Sequence, residues 1–342
     1  MKKVFLILFI AMAAMTSVQA QQISVVKDDG STTLHRTLAE AIAAIEDGCV
    51  IYLPGGGFTI ADDVKITKRV TIIGTGHKTV TDNVDGNTMI SGNLFFNVGS
   101  SQSAIMGCYI SGNVVIGEDG AVNDVLVRYC NLNSVQVKNS ECQETFVNQN
   151  YIRSASNFGS TNAEITNNII YSVLYVNGGH IKNNIILGQS GYKGKTYYDY
   201  RSSIGADNSV ITNNVILPVY YHYNSGGIGA WDYTYSLING SENRVYQNMT
   251  KKDNVGDGCI NLNDIDWNNV FVNYNEGAIN TASDFHFKDE YKDYENQVGI
   301  YAGTGFSDEQ KAPTPYIIEK EIDEQTDAQG KLKIKISVKA NQ

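Results

Sequence analysis

Asn167-Asn168-Ile169-Ile170, Asn183-Asn184-Ile185-Ile186 and Asn213-Asn214-Val215-Ile216 are copies of one phrase, in which a strand rich in apolar residues or Thr leads into Asn and two apolar residues. Looser copies stand at Gln149-Asn150-Tyr151-Ile152, Gln247-Asn248-Met249 and Asn268-Asn269-Val270-Phe271. Two earlier copies carry Cys in place of the Asn, at Cys108-Tyr109-Ile110 and Cys130-Asn131-Leu132. Aligned on Cys108, Cys130, Asn150, Asn168, Asn184, Asn214, Asn248 and Asn269, the spacings are 22, 20, 18, 16, 30, 34 and 21 residues. Most of these fit one coil of a solenoid of roughly 20 residues per repeat. The fold class expected is all-β, a right-handed parallel β-helix.

In such a coil, short strands pair in parallel with those of the coils on either side. Inward side chains then stack into apolar ladders. At the bend between two strands, Asn tolerates left-handed backbone angles and its amide can hydrogen-bond along the stack. The repeated Asn is therefore read as structural, and the eight aligned residues are expected in one column, about 4.8 Å apart.

Ahead of the repeats, Lys2 and Lys3 precede an apolar run from Val4 to Met15, and Val18-Gln19-Ala20 puts small residues where a signal peptidase cuts. That order reads as a secretory signal peptide, residues 1–20, too short to serve as a membrane span. The expectation is export from a Gram-negative bacterial cytoplasm to the periplasm, the cell surface or beyond, with no transmembrane segment after cleavage. Losing the two lysines takes the formal charge from −10 to −12. Such a chain has no electrostatic footprint for nucleic acid. Five cysteines, with no CxxC, do not suggest a zinc site. They read as reduced, buried, small apolar residues.

Thr37-Leu38-Ala39-Glu40 matches a helix capping box, and Leu38, Ala41, Ile42 and Ile45 form one apolar stripe. This short helix is expected to close the N-terminal end of the core. Val50 to Leu53, a Pro54-Gly55-Gly56-Gly57 turn, Val64 to Ile66 and Val70 to Gly74 should follow as strands and bends. The order "TLAEAIAAI", "CVIYLPGG", "VKITKRVTIIGTG" resembles the opening of the pectate-lyase-like β-helix superfamily, and with the coils the likeness covers roughly residues 35 to 280. "DFHFKDEYKDYENQVGIYAGTGF" is similar to the closing segment of secreted bacterial β-helix proteins, although Ala302 stands where a Gly is usual. The expected domain spans residues 21–312. A C-terminal extension, 313–342, reads as a hairpin of Tyr316 to Ile322 with the alternating run Lys331 to Lys339, which caps the solenoid or lies along it.

The resemblance implies a family with carbohydrate-active members, and three catalytic patterns can be sought. None is met. Gly178-Gly179-His180-Ile181-Lys182 only superficially matches a polygalacturonase phrase, Asp62-Asp63 lies ahead of the coils, and Asn263, Asp264 and Asp266 supply too few oxygens for a calcium loop. No cofactor is expected, since calcium has no motif behind it, and catalytic residues are not assigned.

The two long intervals, Leu187 to Val210 and Leu217 to Arg244, are rich in aromatics. Tyr and Trp offer flat apolar faces with a polar handle, which suits stacking on sugar rings. Insertions in neighbouring coils project from one wall, so Tyr197, Tyr198, Arg201, Tyr221, His222, Trp231 and Asp232 are the expected ligand-binding set. The partner expected is a polysaccharide or cell-surface glycan. The alternative expectation is a polysaccharide lyase or glycoside hydrolase with its site in the same loops, residues 187–244.

Overall fold

A computed structural model describes residues 22–77, 86–159, 162–188, 191–192, 203–217, 220–223, 231–234, 237–250, 256–262, 269–274, 283–303, 305–308, 310, 316–322, 325–326 and 329–339. Residues 1–20, read from the sequence as a signal peptide, lie outside them. The architecture is all-β, dominated by an 11-stranded and a 16-stranded sheet whose strands pair mostly in parallel, as a parallel β-helix requires.

One stretch of chain shows the unit. Val125–Arg128 joins the 11-stranded sheet, then Asn131–Leu132 and Val135–Val137 join the 16-stranded one. The next stretch repeats this one rung along, with Thr145–Asn148 followed by Tyr151–Phe158, which bends at a register shift and serves both later positions. Parallel pairing in constant register stacks like on like. Ile51, Ile72, Ile105, Val127, Val147, Ile165, Ile181 and Ile211 form one inward ladder, every member fully buried. Ile90, Ile110, Leu132, Ile152, Ile170, Ile186 and Ile216 form a second. β-branched side chains pack well on a pleated surface, which is why these positions favour Ile and Val.

The bend carries a division of labour that corrects the sequence reading. The left-handed residue is the one before the ladder Asn or Cys: Gly107, Tyr129, Gln149, Asn167, Asn183, Asn213, Gln247 and Gly258 all have φ between +53° and +68°. The Asn that follows is fully buried and works through its amide. Asn150, Asn168, Asn184 and Asn214 each accept the preceding rung's backbone N–H at 2.9 Å. Each also donates from Nδ2 to the next rung's Oδ1, to a carbonyl of the previous coil and to its own i−2 carbonyl.

A second correction concerns the column's end. Met249 pairs with Ile260, so the residue beside Asn248 is Cys259, behind the left-handed Gly258. Asn269 leads instead into Phe271–Asn273, which pairs antiparallel with Asp284–Phe287 in a separate sheet. Gly107-Cys108 and Gly258-Cys259 thus have the same form near the two ends of the column.

The opening helix, Leu38–Ala43, has both halves of its capping box: Thr37 accepts from Glu40 N, and the Glu40 carboxylate accepts from Thr37 N. Leu38, Ala41, Ile42 and Ile45 are buried in the same core as the coils. Gly56 and Gly57, read from sequence as a turn, begin the strand Gly56–Thr59, which pairs with Thr88–Ser91. Ile23–Val26 and Thr32–His35 form an antiparallel pair that the sequence reading missed. Tyr316–Ile322 and Ile334–Lys339 form a hairpin of their own.

The closing segment does not end the stack as the sequence suggested; it lies along the flank. From Tyr151 onward the outward positions beside the ladder Asn are Tyr151, Ile169, Ile185, Val215 and Met249, and a second core buries them under Phe271, Phe285, Phe287, Val298, Ile300 and Phe306. The left-handed residues hold this cover. Asn213 Nδ2 donates to Gln297 O, Asn167 Nδ2 to the carbonyls of Ile300 and Ala302, and Gln149 Oε1 accepts from Ser307 N. The segment therefore runs back across the coils towards the N-terminal end.

Candidate functional site

Register shows where the two aromatic insertions leave. Ile170, Ile186 and Ile216 align, and so do Val173, Ile204 and Ile238. In the uninterrupted coil only Tyr171 and Ser172 stand between these positions; in the next two, Leu187 to Ser203 and Leu217 to Leu237 do. Both insertions therefore start from the same corner of successive coils. Their bases are fixed: Leu187 N donates to Ile170 O, Leu217 N to Ile186 O, and the buried Ser203 hydroxyl to Leu217 O at 2.6 Å.

Beyond the corner the two insertions meet. Gly191–Tyr192 pairs in parallel with Tyr220–Tyr223, which pairs antiparallel with Trp231–Thr234. The register sets Tyr192, His222 and Asp232 in one rung, flanked on one side by Gly191, Tyr221 and Tyr233 and on the other by Tyr223 opposite Trp231. Positions along a strand alternate between its two faces. Trp231, Tyr221, Tyr223 and Tyr233 thus share one parity of register, and Tyr192, His222 and Asp232 share the other. Tyr197, Tyr198 and Arg201 lie outside the described residues.

The remaining phrases with chemical interest are structural in this fold. In Gly178-Gly179-His180, Gly178 takes φ +76° at a bend, and a Cβ on Gly179 would stand 2.6 Å from Ala163 O. His180 lies beside Glu164 at 3.9 Å, with both side chains more than half exposed. Asp62 accepts from Asn93 Nδ2 at 3.0 Å, tying the opening segment to the next coil. Among the described residues, no group of three or more His, Cys, Asp or Glu side chains is placed to hold a metal ion. Asn263, Asp264 and Asp266 lie outside the described residues.

All five cysteines are reduced thiols, and all but Cys259 are buried. Burial raises the Cys108 thiol well above its ordinary value, and it pushes Cys130 up to about 12. Neither is a nucleophile at neutral pH.

One cluster was not singled out from the sequence. His286, on the strand Asp284–Phe287, stacks on the Tyr301 ring with centroids 3.9 Å apart and an interplanar angle of 7°. Its Nδ1 meets the nearly buried Glu295, which also pairs with Lys292, and its Nε2 lies 3.3 Å from Asp308 Oδ2. Tyr301 donates its hydroxyl to Asp308 Oδ1 at 2.7 Å. Burial opposes the imidazolium, but the two carboxylates outweigh it and raise His286 above its ordinary 6.5. Burial likewise opposes ionisation of Glu295, while Lys292 and His286 hold its carboxyl below 4.5. Burial, then Asp308, pushes Tyr301 far up. A histidine with both nitrogens facing carboxylates is stabilised in its imidazolium form. Its sequence signal was slight, because the three partners come from a strand, a turn after a 3-10 helix and the segment's far end, 9 and 13 residues apart.

Compared with known protein families, curated proteins and solved structures, the chain matches none of them.

Proposed function

We propose that the chain is an exported right-handed parallel β-helix of the pectate-lyase-like kind, capped at its N-terminal end by the helix Leu38–Ala43, and that it binds a polysaccharide or cell-surface glycan through its paired aromatic insertions. The observation that carries this reading is the pairing itself. Two insertions from one corner of successive coils join into a single three-stranded sheet whose register gathers Trp231, Tyr221, Tyr223 and Tyr233 on one parity. A row of aromatics on a rigid scaffold is the surface on which sugar rings stack. The net negative charge favours a neutral glycan, or an acidic one bridged by a divalent cation.

The test is calorimetry of the mature protein against neutral and acidic polysaccharides, with and without calcium. Trp231→Ala should lower affinity at least about tenfold, as loss of a central aromatic contact does, with the melting temperature unchanged. Unchanged binding in that variant would reject the site. The His222–Asp232 rung favours a second reading, in which the same sheet carries a general acid or base of a polysaccharide lyase or glycoside hydrolase. Product release from a polysaccharide that is lost in His222→Ala would establish it.

A further inference from the structure

The buried side of the closing segment is apolar, but its outer side is fastened by charge. His286 comes from the strand Asp284–Phe287, Glu295 from the turn after the 3-10 helix Asp289–Tyr294, and Asp308 from the segment's far end. The imidazole ring therefore ties three successive pieces of chain together. Besides Asp308, the described contacts of the far end are the buried Phe306, which meets Tyr151 and Tyr301 edge-on, Ser307 N, which donates to Gln149, and the buried Gln310, which reaches His77 at 3.2 Å.

We propose that Glu295, His286 and Asp308 form a proton-operated latch, which holds the far end of the closing segment against the sheet while His286 is protonated and releases residues 305–308 when it is not. An imidazolium donates from both nitrogens, whereas neutral imidazole has one N–H. Loss of the proton therefore leaves one carboxylate facing a ring lone pair. Glu295 is the deeper of the two and keeps Lys292, so the single remaining N–H stays with Glu295 and Asp308 is the partner released. The other charged groups around the ring do not replace the lost proton. Asp284 is occupied in accepting the His286 backbone N–H at 3.0 Å, and the Tyr301 hydroxyl already donates to Asp308. Tyr151, behind Phe306, is held neutral by burial, and Lys288 is the next cation along the chain.

The sign follows from linkage. A raised His pKa contributes stability that is present at low pH and lost as pH rises through the folded value, here above 6.5. The lowered Glu295 value sets the acid limit, since its contribution disappears as pH falls through a value below 4.5. The latch is closed between the two. Opening uncovers Tyr151 and the apolar strip beside it, a surface masked at lower pH.

Hydrogen–deuterium exchange of the whole mature protein, corrected for intrinsic exchange and followed from about pH 5 to about pH 9, tests this. Residues 305–308 should lose protection at least about tenfold across a step above pH 6.5, while the coil peptide 164–186 stays protected. His286→Phe keeps the stack on Tyr301 and removes both charged bonds; in it the step should vanish and residues 305–308 should exchange fast at every pH. Should that variant fail to fold, Asp308→Asn keeps the ring and Glu295, and its step should weaken and move to lower pH. A segment with constant protection over this range, or a step that persists in His286→Phe or is unmoved in Asp308→Asn, overturns the latch.

Discussion

Asn183 and Asn184 are neighbours in sequence with opposite work. Asn183 sits at φ +57° and faces the closing segment, whereas Asn184 points inward and makes five hydrogen bonds. Replacing Asn184 by Ala strands the Asn168 N–H in a dry interior and removes one of the bonds accepted by the Lys182 carbonyl, which keeps Asn167 N–H, and the bond to the Ile165 carbonyl. With one buried donor left unpaired and the side-chain bonds lost, the cost should be roughly 2–3 kcal/mol, read as a lower urea midpoint. Asn167→Gly should behave differently. Glycine accepts the left-handed angle, so the coil keeps its bend while the side-chain bonds to Ile300 and Ala302 are lost. Global stability should fall by no more than about 1 kcal/mol, while amide protection at residues 297–303 drops. Equal global losses in the two variants would contradict the division of labour. Thiols report on the same column. Five should titrate in the unfolded, unreduced protein, and in the native protein Cys259 should react first, ahead of Cys108 and Cys130, whose burial holds them protonated.

At the scale of the element, local patterns were legible where one strand or one cap decided them. The capping box of Thr37 and Glu40 could be read outright, because all its partners lie within four residues. Thr37→Ala should cost about 1 kcal/mol. Because the Arg36 and Thr37 backbone N–H groups lower the Glu40 carboxyl, its share of the cap should persist above pH 4.5 and be lost as pH falls through the lowered value. Thermal melts of wild type and Glu40→Gln, compared across that range, should converge at the acid end. Elements defined by distant partners were harder to read. Asn268-Asn269-Val270-Phe271 has the repeated phrase in full, yet the rung belongs to Gly258-Cys259, since a phrase of four residues does not say which strand lies alongside. The closing segment was recognisable as a unit, but its place on the flank depends on the outward parity of Ile169, Ile185 and Val215. Those positions are apolar on both faces of short strands, so alternation gave no warning that two cores meet there. The His286 cluster was hidden for the same reason.

For the whole molecule, the decisive relation is between the regular coils and the two insertions. Residues 188–202 and 218–236 enter a corner that other coils turn with two or three residues, and Leu187 joined to Ser203, or Leu217 to Leu237, would restore that corner. Without the insertions, the intervals of 30 and 34 residues shorten to 15 each, against 16 between Asn168 and Asn184. Repeat proteins are stabilised by each repeat and its contacts with its neighbours, and neither ladder passes through the insertions. A chain lacking both segments should therefore fold, keep its β-sheet circular dichroism and lose only a few degrees of melting temperature. The same chain should show no glycan binding in calorimetry, because Tyr221, His222, Trp231 and Asp232 are gone. Removing 218–236 alone should abolish binding as completely as removing both, since Gly191–Tyr192 would have no strand to pair with. Collapse of the deleted chain would mean that the insertions belong to the core, against the register of Ser203 and Leu237. Retained affinity would move the ligand to another face of the sheets, and the aromatic row would then be packing alone.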